Sequence, residues 1–491
     1  MVFRTSRPDL FAAAKATGKA SAKAGGVMLV GLLVAFSLIG AKPAKADNLA
    51  QMLYDVYDNN PDIHAEQAAQ DIRRAQTRKA TAALMPQVSA VASHSLVEEK
   101  LKLSGVDRIR TSQYGIKASQ RIFSGFQNKN NLIKAKYEEK SGYYQMRNRE
   151  REVLLEAVKA YMDVYAARKM ITLRRQHVAN LEKQLRATQA RIRAGELTRT
   201  DLSKTKALLF RARASLEGAK ADLGGAAGRY EALVGYQPGE LIFPQMPVRY
   251  MPQTPEEAQK KALQMHPDLR ASRAGDKAAD YAVKSAEGAF LPTVDVSGEM
   301  TKNYASSVSE TDLSDRSFSL RLSLPLFDGG ARKADLESAR AARSQQKHKS
   351  NALAANVKAN AKEQFLRYQA SVASLGQARQ EVTAAKDLLR GVRVEEKAGQ
   401  RSYLDILDAE VSLLDAQELE IYSQADTVIA IYSFLAATGQ LTVSGARKEF
   451  IRHDPQTAAV VAKARRMASS ADVKARKAEP RDASDPWSGL R

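Results

Sequence analysis

The sequence contains no cysteine, so it has no disulfide framework, no thiolate metal ligand and no cysteine nucleophile. Aromatic residues are also scarce, with 13 Phe, 17 Tyr and 1 Trp among 491 residues. The 6 histidines are scattered without paired ligand spacing, and neither a Walker A motif, a GxSxG motif nor a dinucleotide-binding loop occurs. We therefore expect neither an enzyme nor a protein that needs a cofactor or a metal.

The net charge of +21 suggests a nucleic-acid partner until its distribution is considered. Residues 1–46 combine a basic start, an apolar stretch at 27–40 and the small-x-small sequence AKA, which together predict a cleaved secretory signal. Residues 442–491 hold eleven basic and six acidic residues with few large apolar side chains, which predicts a disordered tail. About half of the excess charge lies in these two segments. Because an exported protein rarely meets nucleic acid, we expect no such partner.

Long apolar runs and prolines are both missing from most of the chain. No apolar run of 18 residues follows the signal, so no transmembrane helix is predicted there. Proline is absent from residues 87–237 and 326–454. Since a proline inside a helix costs about 3 kcal/mol, these stretches predict very long helices. Apolar residues recur at three- and four-residue spacing within 126–193, which favours packing in a coiled-coil layer.

The chain repeats itself. The motifs around Pro61 and Pro86 recur around Pro267 and Pro292, at an offset of 206 residues. Later matches are offset by 204 residues and comprise Ile122/Leu326, Gly125/Gly329, Gly195/Gly399 and Asp201/Asp405. We interpret this as a tandem duplication of a unit of about 200 residues, which is too long for a solenoid repeat.

Each unit contains two segments in which apolar and polar residues alternate, as expected for strands with one apolar face. These segments are 87–97, 113–122, 294–301 and 317–326. Each is about as long as a tilted transmembrane strand of some eleven residues. The polar segments 98–110 and 303–316 are predicted hairpin loops.

Each unit is therefore predicted to run helix, strand, loop, strand, very long helix, turn and shorter helix. We expect the first repeat at 47–236, a linker at 237–254 and the second repeat at 255–441. Pro61 and Pro267 suit the first turn of a helix. Proposed N-caps and helix-ending glycines of the long helices are Ser124, Asp328, Gly195 and Gly399.

Four strands leave two open sheet edges, which lipid does not tolerate, so closure requires several chains. The residues that then identify the chain are Pro86 and Pro292 before the strands, FDGG at 327–330 and AGQRSYLDILDA at 398–409. On these residues the sequence resembles the TolC family of outer-membrane efflux and secretion channels, over about residues 47–441. The resemblance implies a mainly α homotrimer with a twelve-stranded membrane β-barrel and a long coiled-coil helical tunnel in the periplasm.

The same resemblance implies a passive exit duct in the outer membrane of a Gram-negative bacterium. Its partners would be outer-membrane lipid, a periplasmic adaptor and an inner-membrane pump of the RND or ABC type, in a tripartite efflux pump or a type I secretion system. A periplasmic coiled-coil adaptor is the alternative, although the strand-rich lipoyl-like and barrel domains of adaptors are missing. A surface fibre would not explain the duplicated strand pairs.

The resemblance also implies a gate at the periplasmic tip. Asp405 and Asp408 would face the lumen, and three chains would bring six carboxylates into a ring that favours cations. Arg401, Thr200 and Asp201 match positions that hold neighbouring helices closed. Glu396 replaces an aromatic latch residue of a prominent family member. Because it would repel Asp201, we expect the latch to depend on Arg401.

Overall fold

The structure is a computed structural model that describes residues 48–101, 105–246, 251–306 and 311–442. The predicted signal at 1–46 and nearly all of the predicted tail lie outside the described residues, as does part of the linker. Within the described part of the chain, no helix is long and apolar enough to span a bilayer.

Each repeat contains four helices and two strands. The first repeat consists of α1 (Leu49–Asn59), α2 (Pro61–Ala82), β1 (Gln87–Leu101), β2 (Gly105–Ser124), α3 (Gln127–Arg193) and α4 (Arg199–Val234). The second repeat consists of α5 (Pro255–Met265), α6 (Pro267–Gly288), β3 (Thr293–Ser306), β4 (Thr311–Ser323), α7 (Ala331–Lys397) and α8 (Tyr403–Ala437).

The element boundaries confirm the duplication. The starts of α1, α2 and β1 are each 206 residues before those of α5, α6 and β3, whereas α3 and α4 start 204 residues before α7 and α8. Two additional residues of the first repeat therefore lie between the start of β1 and the start of α3. Both long helices contain 67 residues, which corresponds to about 100 Å each.

The two repeats lie side by side in every layer. The strands form one antiparallel sheet in the order β1-β2-β3-β4. Next to the sheet, the helix contacts run α2-α3-α6-α7, and towards the other end of the long helices they run α4-α3-α8-α7. Each layer therefore has a first-repeat element at one edge and a second-repeat element at the other.

The main core lies where α1, α3, α4 and α8 meet. Its largest fully buried side chains include Tyr161, Tyr230 and Phe434. The Tyr161 hydroxyl donates to the Ile242 carbonyl at 2.7 Å and accepts from the Ile242 N–H at 3.0 Å, while Arg168 donates to the Pro238 carbonyl at 2.8 Å. These bonds fix the start of the linker against α3.

The predicted hairpin loops are wrong over 98–101, 105–110, 303–306 and 311–316, which belong to strands, whereas 102–104 and 307–310 lie outside the described residues. β1 continues to Leu101 and β2 begins at Gly105. In the second repeat, β3 ends at Ser306 and β4 begins at Thr311. Backbone hydrogen bonds continue the ladder through these polar residues. Alternation indicates only the part of a strand with one apolar face, so the polar part was assigned to loops.

The helix starts follow the sequence in part. Pro61 and Pro267 occupy first-turn positions as expected, and Asn60 and His266 are the N-caps of those helices. Ser124 is not an N-cap, because α3 is preceded by Phe126, which has a left-handed φ of 65°. Its hydroxyl nevertheless accepts from the Asn128 N–H at 3.1 Å, so it still satisfies one of the free donors at the helix start.

The junction between α6 and α3 predicts a sensitive position. A Cβ added to Gly288 would lie 2.2 Å from the Gly125 carbonyl oxygen, so Gly288→Ala forces two backbone segments apart. We expect a loss of about 1–3 kcal/mol of stability, measured by thermal unfolding. Gly224→Ala is the control, because nothing lies within 4 Å of that Cβ. Equal stability of the two variants would contradict the close approach.

Candidate functional site at the helix turns

The α3–α4 and α7–α8 turns are built in the same way. Gly195 and Gly399 have φ values of +81° and +73°, a left-handed conformation that favours glycine. In both turns the N–H of the residue after the glycine donates to the carbonyl five residues earlier, at 2.9 Å. This Schellman arrangement ends each long helix and reverses the chain.

A capping box begins each returning helix. The Asp201 carboxylate accepts from the Thr198 N–H at 2.9 Å, and the Asp405 carboxylate accepts from the Ser402 N–H at the same distance. The hydroxyls of Thr198 and Ser402 complete the boxes. Hydrogen bonds from Ser402, together with the nearby Arg401 charge, lower the pKa of Asp405 below its usual range. Asp405 therefore stays ionised at pH values where an ordinary aspartate begins to protonate, and its capping contribution is lost only as pH falls through the lowered pKa.

Asp408 has a counter-ion within its own chain. Its carboxylate lies 3.3 Å from the Lys204 ammonium, and both side chains are largely exposed. Lys204 and Asp408 occupy equivalent positions of the two repeats, 204 residues apart. Of the two carboxylates proposed for the ring, one therefore caps its own helix and the other is partly neutralised.

Arg191 connects the helical hairpin formed by α3 and α4 to the helical hairpin formed by α7 and α8. Its guanidinium lies 2.7 Å from the Glu396 carboxylate and 3.0 Å from that of Glu196. It also lies over the Tyr403 ring, at 5.8 Å from the ring centre, and the buried Thr188 hydroxyl donates to the Tyr403 hydroxyl at 2.9 Å. Glu396 is only 10% exposed, so this ion pair is shielded from solvent more than most surface pairs.

The proposed latch residues are engaged differently from the expectation. Arg401 pairs with Glu395 of the same chain at 3.0 Å. Glu396 pairs with Arg191, and Asp201 is held in its own capping box, while Thr200 is exposed in the first turn of α4. Sequence reasoning missed Arg191 because a basic residue in the last turn is explained by the helix dipole alone. The available signal was Glu396 itself, an acidic residue at a position where a prominent family member has an aromatic residue.

The strand-to-helix junctions lie at the opposite ends of the long helices. Pro86 and Pro292 immediately precede β1 and β3. Asp328 is not the N-cap of α7, because Gly330 occupies that position. Both Gly329 and Gly330 have a left-handed φ. The Asp328 carboxylate still accepts from the Arg332 N–H at 3.0 Å and pairs with its guanidinium at 2.7 Å. These residues position the start of the long helix, at the end away from the helix turns.

Solved structures share this fold. A membrane protein from Pseudomonas aeruginosa has a TM-score of 0.72 at 20% identity, with 80% of this chain and 92% of that chain covered. The Campylobacter jejuni CmeC outer membrane channel has a TM-score of 0.71 at 16% identity, with 82% and 89% covered. The fold is therefore that of the TolC-like outer-membrane channels.

The sequence comparisons extend this result to the family. The outer membrane efflux protein family matches residues 52–235 and 258–440. The outer membrane efflux protein BepC of Brucella suis is 30% identical over 428 residues, covering 87% of this chain and 92% of BepC. The chain belongs to the outer membrane efflux protein family. It is an outer-membrane channel protein with a large periplasmic helical portion, and the adaptor alternative is set aside.

The Arg191 cluster gives a prediction for the closed state. Arg191→Ala removes the pair with Glu396 and the contact with Tyr403. A loss of about 1.4 kcal/mol in the closed state raises the ratio of open to closed channels about tenfold. The open probability in single-channel recordings of the purified oligomer should therefore increase. Arg401→Ala is the matched comparison, and a larger effect there would return the main role to Arg401.

A second prediction concerns Lys204. Lys204→Gln removes the counter-ion of Asp408, so more negative charge faces permeating ions. We expect half-block of the channel at a several-fold lower concentration of a trivalent cation in planar bilayers. Lys206→Gln, an exposed change on the same helix, is the control. If both variants respond alike, Lys204 does not act through Asp408.

Proposed function

We propose that three copies of this chain form a closed duct that serves as the exit of a tripartite export machine. The observation that carries this proposal is that every layer has an open edge from the first repeat and an open edge from the second. Edges of different kinds pair head to tail, and such contacts close into a ring when the rotation between copies is a whole fraction of a turn. The sequence has no nucleotide-binding motif, so an inner-membrane pump, joined through a periplasmic adaptor, would supply the energy.

Exposed apolar side chains support contact between the helix edges. Phe210 on α4 is 63% exposed, and Val394 on α7 is 64% exposed. Leu366 and Leu388 are further exposed apolar residues of α7. Isolated residues of this kind are normal on a monomer, but here they lie on α4 and α7, the two edge helices of the α4-α3-α8-α7 layer.

The sheet supports the number three. Two copies would give a barrel of eight strands, and side chains nearly fill the interior of such a barrel. Three copies would give a closed sheet of twelve strands with room for cargo. Phe318, Leu320 and Leu322 alternate along β4 and are each at least 66% exposed. This apolar face would contact outer-membrane lipid, and the polar face would line the duct.

The helix turns would form the gate of this duct. The Arg191–Glu396 pair would hold the two hairpins of one chain together, and Arg401, Thr200 and Asp201 remain candidates for contacts between chains. Asp405 and Asp408 would contribute a ring that favours cations. Opening would separate the hairpins by sliding of packed helices.

The duplication supports a specific register between copies. Within the chain, Arg174 of α3 pairs with Glu418 of α8 at 2.8 Å, and Asp415 lies within electrostatic range of His177. The position 204 residues after His177 is Glu381 of α7, and the position 204 residues before Asp415 is Arg211 of α4. By the same register, Glu381 would lie opposite Arg211 of the next copy. Glu381 and Arg211 are exposed, oppositely charged and without an ion pair among the described residues.

Cross-linking tests this assembly, because the native chain has no cysteine. With Arg211→Cys and Glu381→Cys, a short bis-maleimide should link copies into covalent dimers and trimers on a denaturing gel. Arg211→Cys with Lys358→Cys is the control, since position 358 lies about 35 Å further along α7. Monomers from both variants, or tetramers and longer products, would contradict the proposed trimer.

A deletion strain tests the role in export. We expect increased sensitivity to toxic compounds if the duct serves efflux, and loss of a secreted protein if it serves type I secretion. Complementation should require membrane insertion of the full chain. A strain with neither defect would contradict the proposed function while leaving the trimer test unaffected.

A further inference from the structure

A groove of about 590 Å³ crosses the sheet on the face that carries the exposed apolar side chains. Its walls are two neighbouring cross-strand rows of that face, and the wall residues used below are Ile116, Met300 and Arg316 in one row and Tyr114, Lys302 and Ser314 in the other. The row between them, which includes Gly115 and Thr301, forms the floor, because its side chains point to the opposite face. The groove therefore opens on the surface that would contact lipid in the proposed duct.

The apolar surface of β4 ends at this groove. Five alternate positions at and after the end of β4 are apolar and exposed, namely Phe318, Leu320, Leu322, Leu324 and Leu326. The next position on the same face is Arg316, and β3 changes in the same way from Met300 to Lys302. The residues from Leu326 to Arg316 extend over about 33 Å, and a tilt of about 40° reduces this to about 25 Å, the usual height of a lipid-facing apolar band. Arg316 and Lys302 therefore lie at the level of lipid headgroups.

The charge on this face has one sign. Among the described strand residues of the face, the lysines, arginines and acids comprise Lys302 and Arg316 only, and both are exposed. The opposite face has both signs, as in the ion pair of Arg121 with Asp295 at 2.8 Å. Because Lys302 lies opposite Ser314, it is a diagonal neighbour of Arg316, at a distance of about 7 Å. Both long side chains can reach one anion that lies between them.

Two tyrosines flank the basic pair. Tyr114 lies opposite Lys302 on β2, and its ring meets the Tyr304 ring edge to face, with 6.3 Å between ring centres. The Lys302 ammonium lies 4.9 Å from the centre of the Tyr304 ring. Tyrosine favours the level at which an apolar layer meets polar headgroups, and a guanidinium donates two parallel hydrogen bonds to a phosphate. The groove thus combines phosphate donors with apolar walls.

Given the proposed duct, we propose that this groove binds a phosphate group of a phosphorylated glycolipid in the outer leaflet. The long helices continue from the opposite end of the strands and would lie in the periplasm, so Arg316 would be on the outer side. Arg316 and Lys302 would donate to one phosphate, and the acyl chains would lie over Met300, Ile116 and the leucines of β4. A free phosphate would make none of these apolar contacts, which favours a lipid as the occupant.

Native mass spectrometry of the detergent-solubilised oligomer, titrated with bisphosphorylated lipid A, tests the proposal. Lys302→Gln with Arg316→Gln should raise the half-saturating lipid concentration at least about tenfold, since two charged donors are lost. Arg321→Gln is the matched control, because it removes a cation from the opposite face of the same strand. Lys302→Arg with Arg316→Lys keeps both charges and should retain binding. This exchange separates loss of charge from a general disturbance of the sheet.

Two further titrations distinguish the lipid phosphate from other ligands. Dephosphorylated lipid A should bind the native oligomer at least about tenfold more weakly, and an excess of inorganic phosphate should leave lipid A bound. Unchanged binding in the double glutamine variant, an equal loss in Arg321→Gln, equal binding of dephosphorylated lipid or displacement by inorganic phosphate would each overturn the proposal. The same spectra give the mass of the oligomer. Trimers without a preference for the phosphorylated lipid would overturn this proposal alone, whereas monomers would contradict the proposed trimeric duct.

Discussion

Every layer of this chain ends in an element that has a neighbour on one side only, and the rest of the structure depends on that constraint. β1 and β4 leave ladder hydrogen bonds unmade, and α4 and α7 leave apolar side chains uncovered. The duplication places elements of different repeats at the two edges, so a copy complements the next copy and not itself. The proposed head-to-tail closure would satisfy strands and helices at once, so one operation would make both the membrane portion and the helical tunnel.

In the proposed duct, the charges at the helix turns would be largely satisfied within each chain. Glu396 has Arg191, Glu395 has Arg401 and Asp408 has Lys204. A ring of acids in the assembled duct would therefore compete with internal counter-ions. Contacts between chains at the turns are expected to be weaker than the internal ones, and a partner that opens the duct would need to break the internal Arg191 pair as well.

The sequence predicted the architecture well because its signals are independent of tertiary contacts. Proline-free stretches, the paired offsets and the Gly195 and Gly399 stops are local features, and all of them correspond to observed elements. The strand ends were predicted poorly, because a polar strand and a polar loop have the same composition. The role of Arg191 was inaccessible for a different reason: its partner Glu396 is 205 residues away, and only the folded chain brings the two turns together.

The two repeats have kept their shape while their charges have diverged. Both capping boxes and both Schellman turns persist, yet Lys204 faces its own counterpart Asp408, where an undiverged repeat would place like charges together. The seam between repeats inside the chain also contains the Arg174–Glu418 pair, whereas the equivalent positions, 378 and 214, are both alanine. The Arg174–Glu418 pair is therefore specific to the internal seam and is not repeated at the equivalent positions. Divergence of this kind lets two repeats of one shape make a charged contact inside the chain that the duplication alone would not specify.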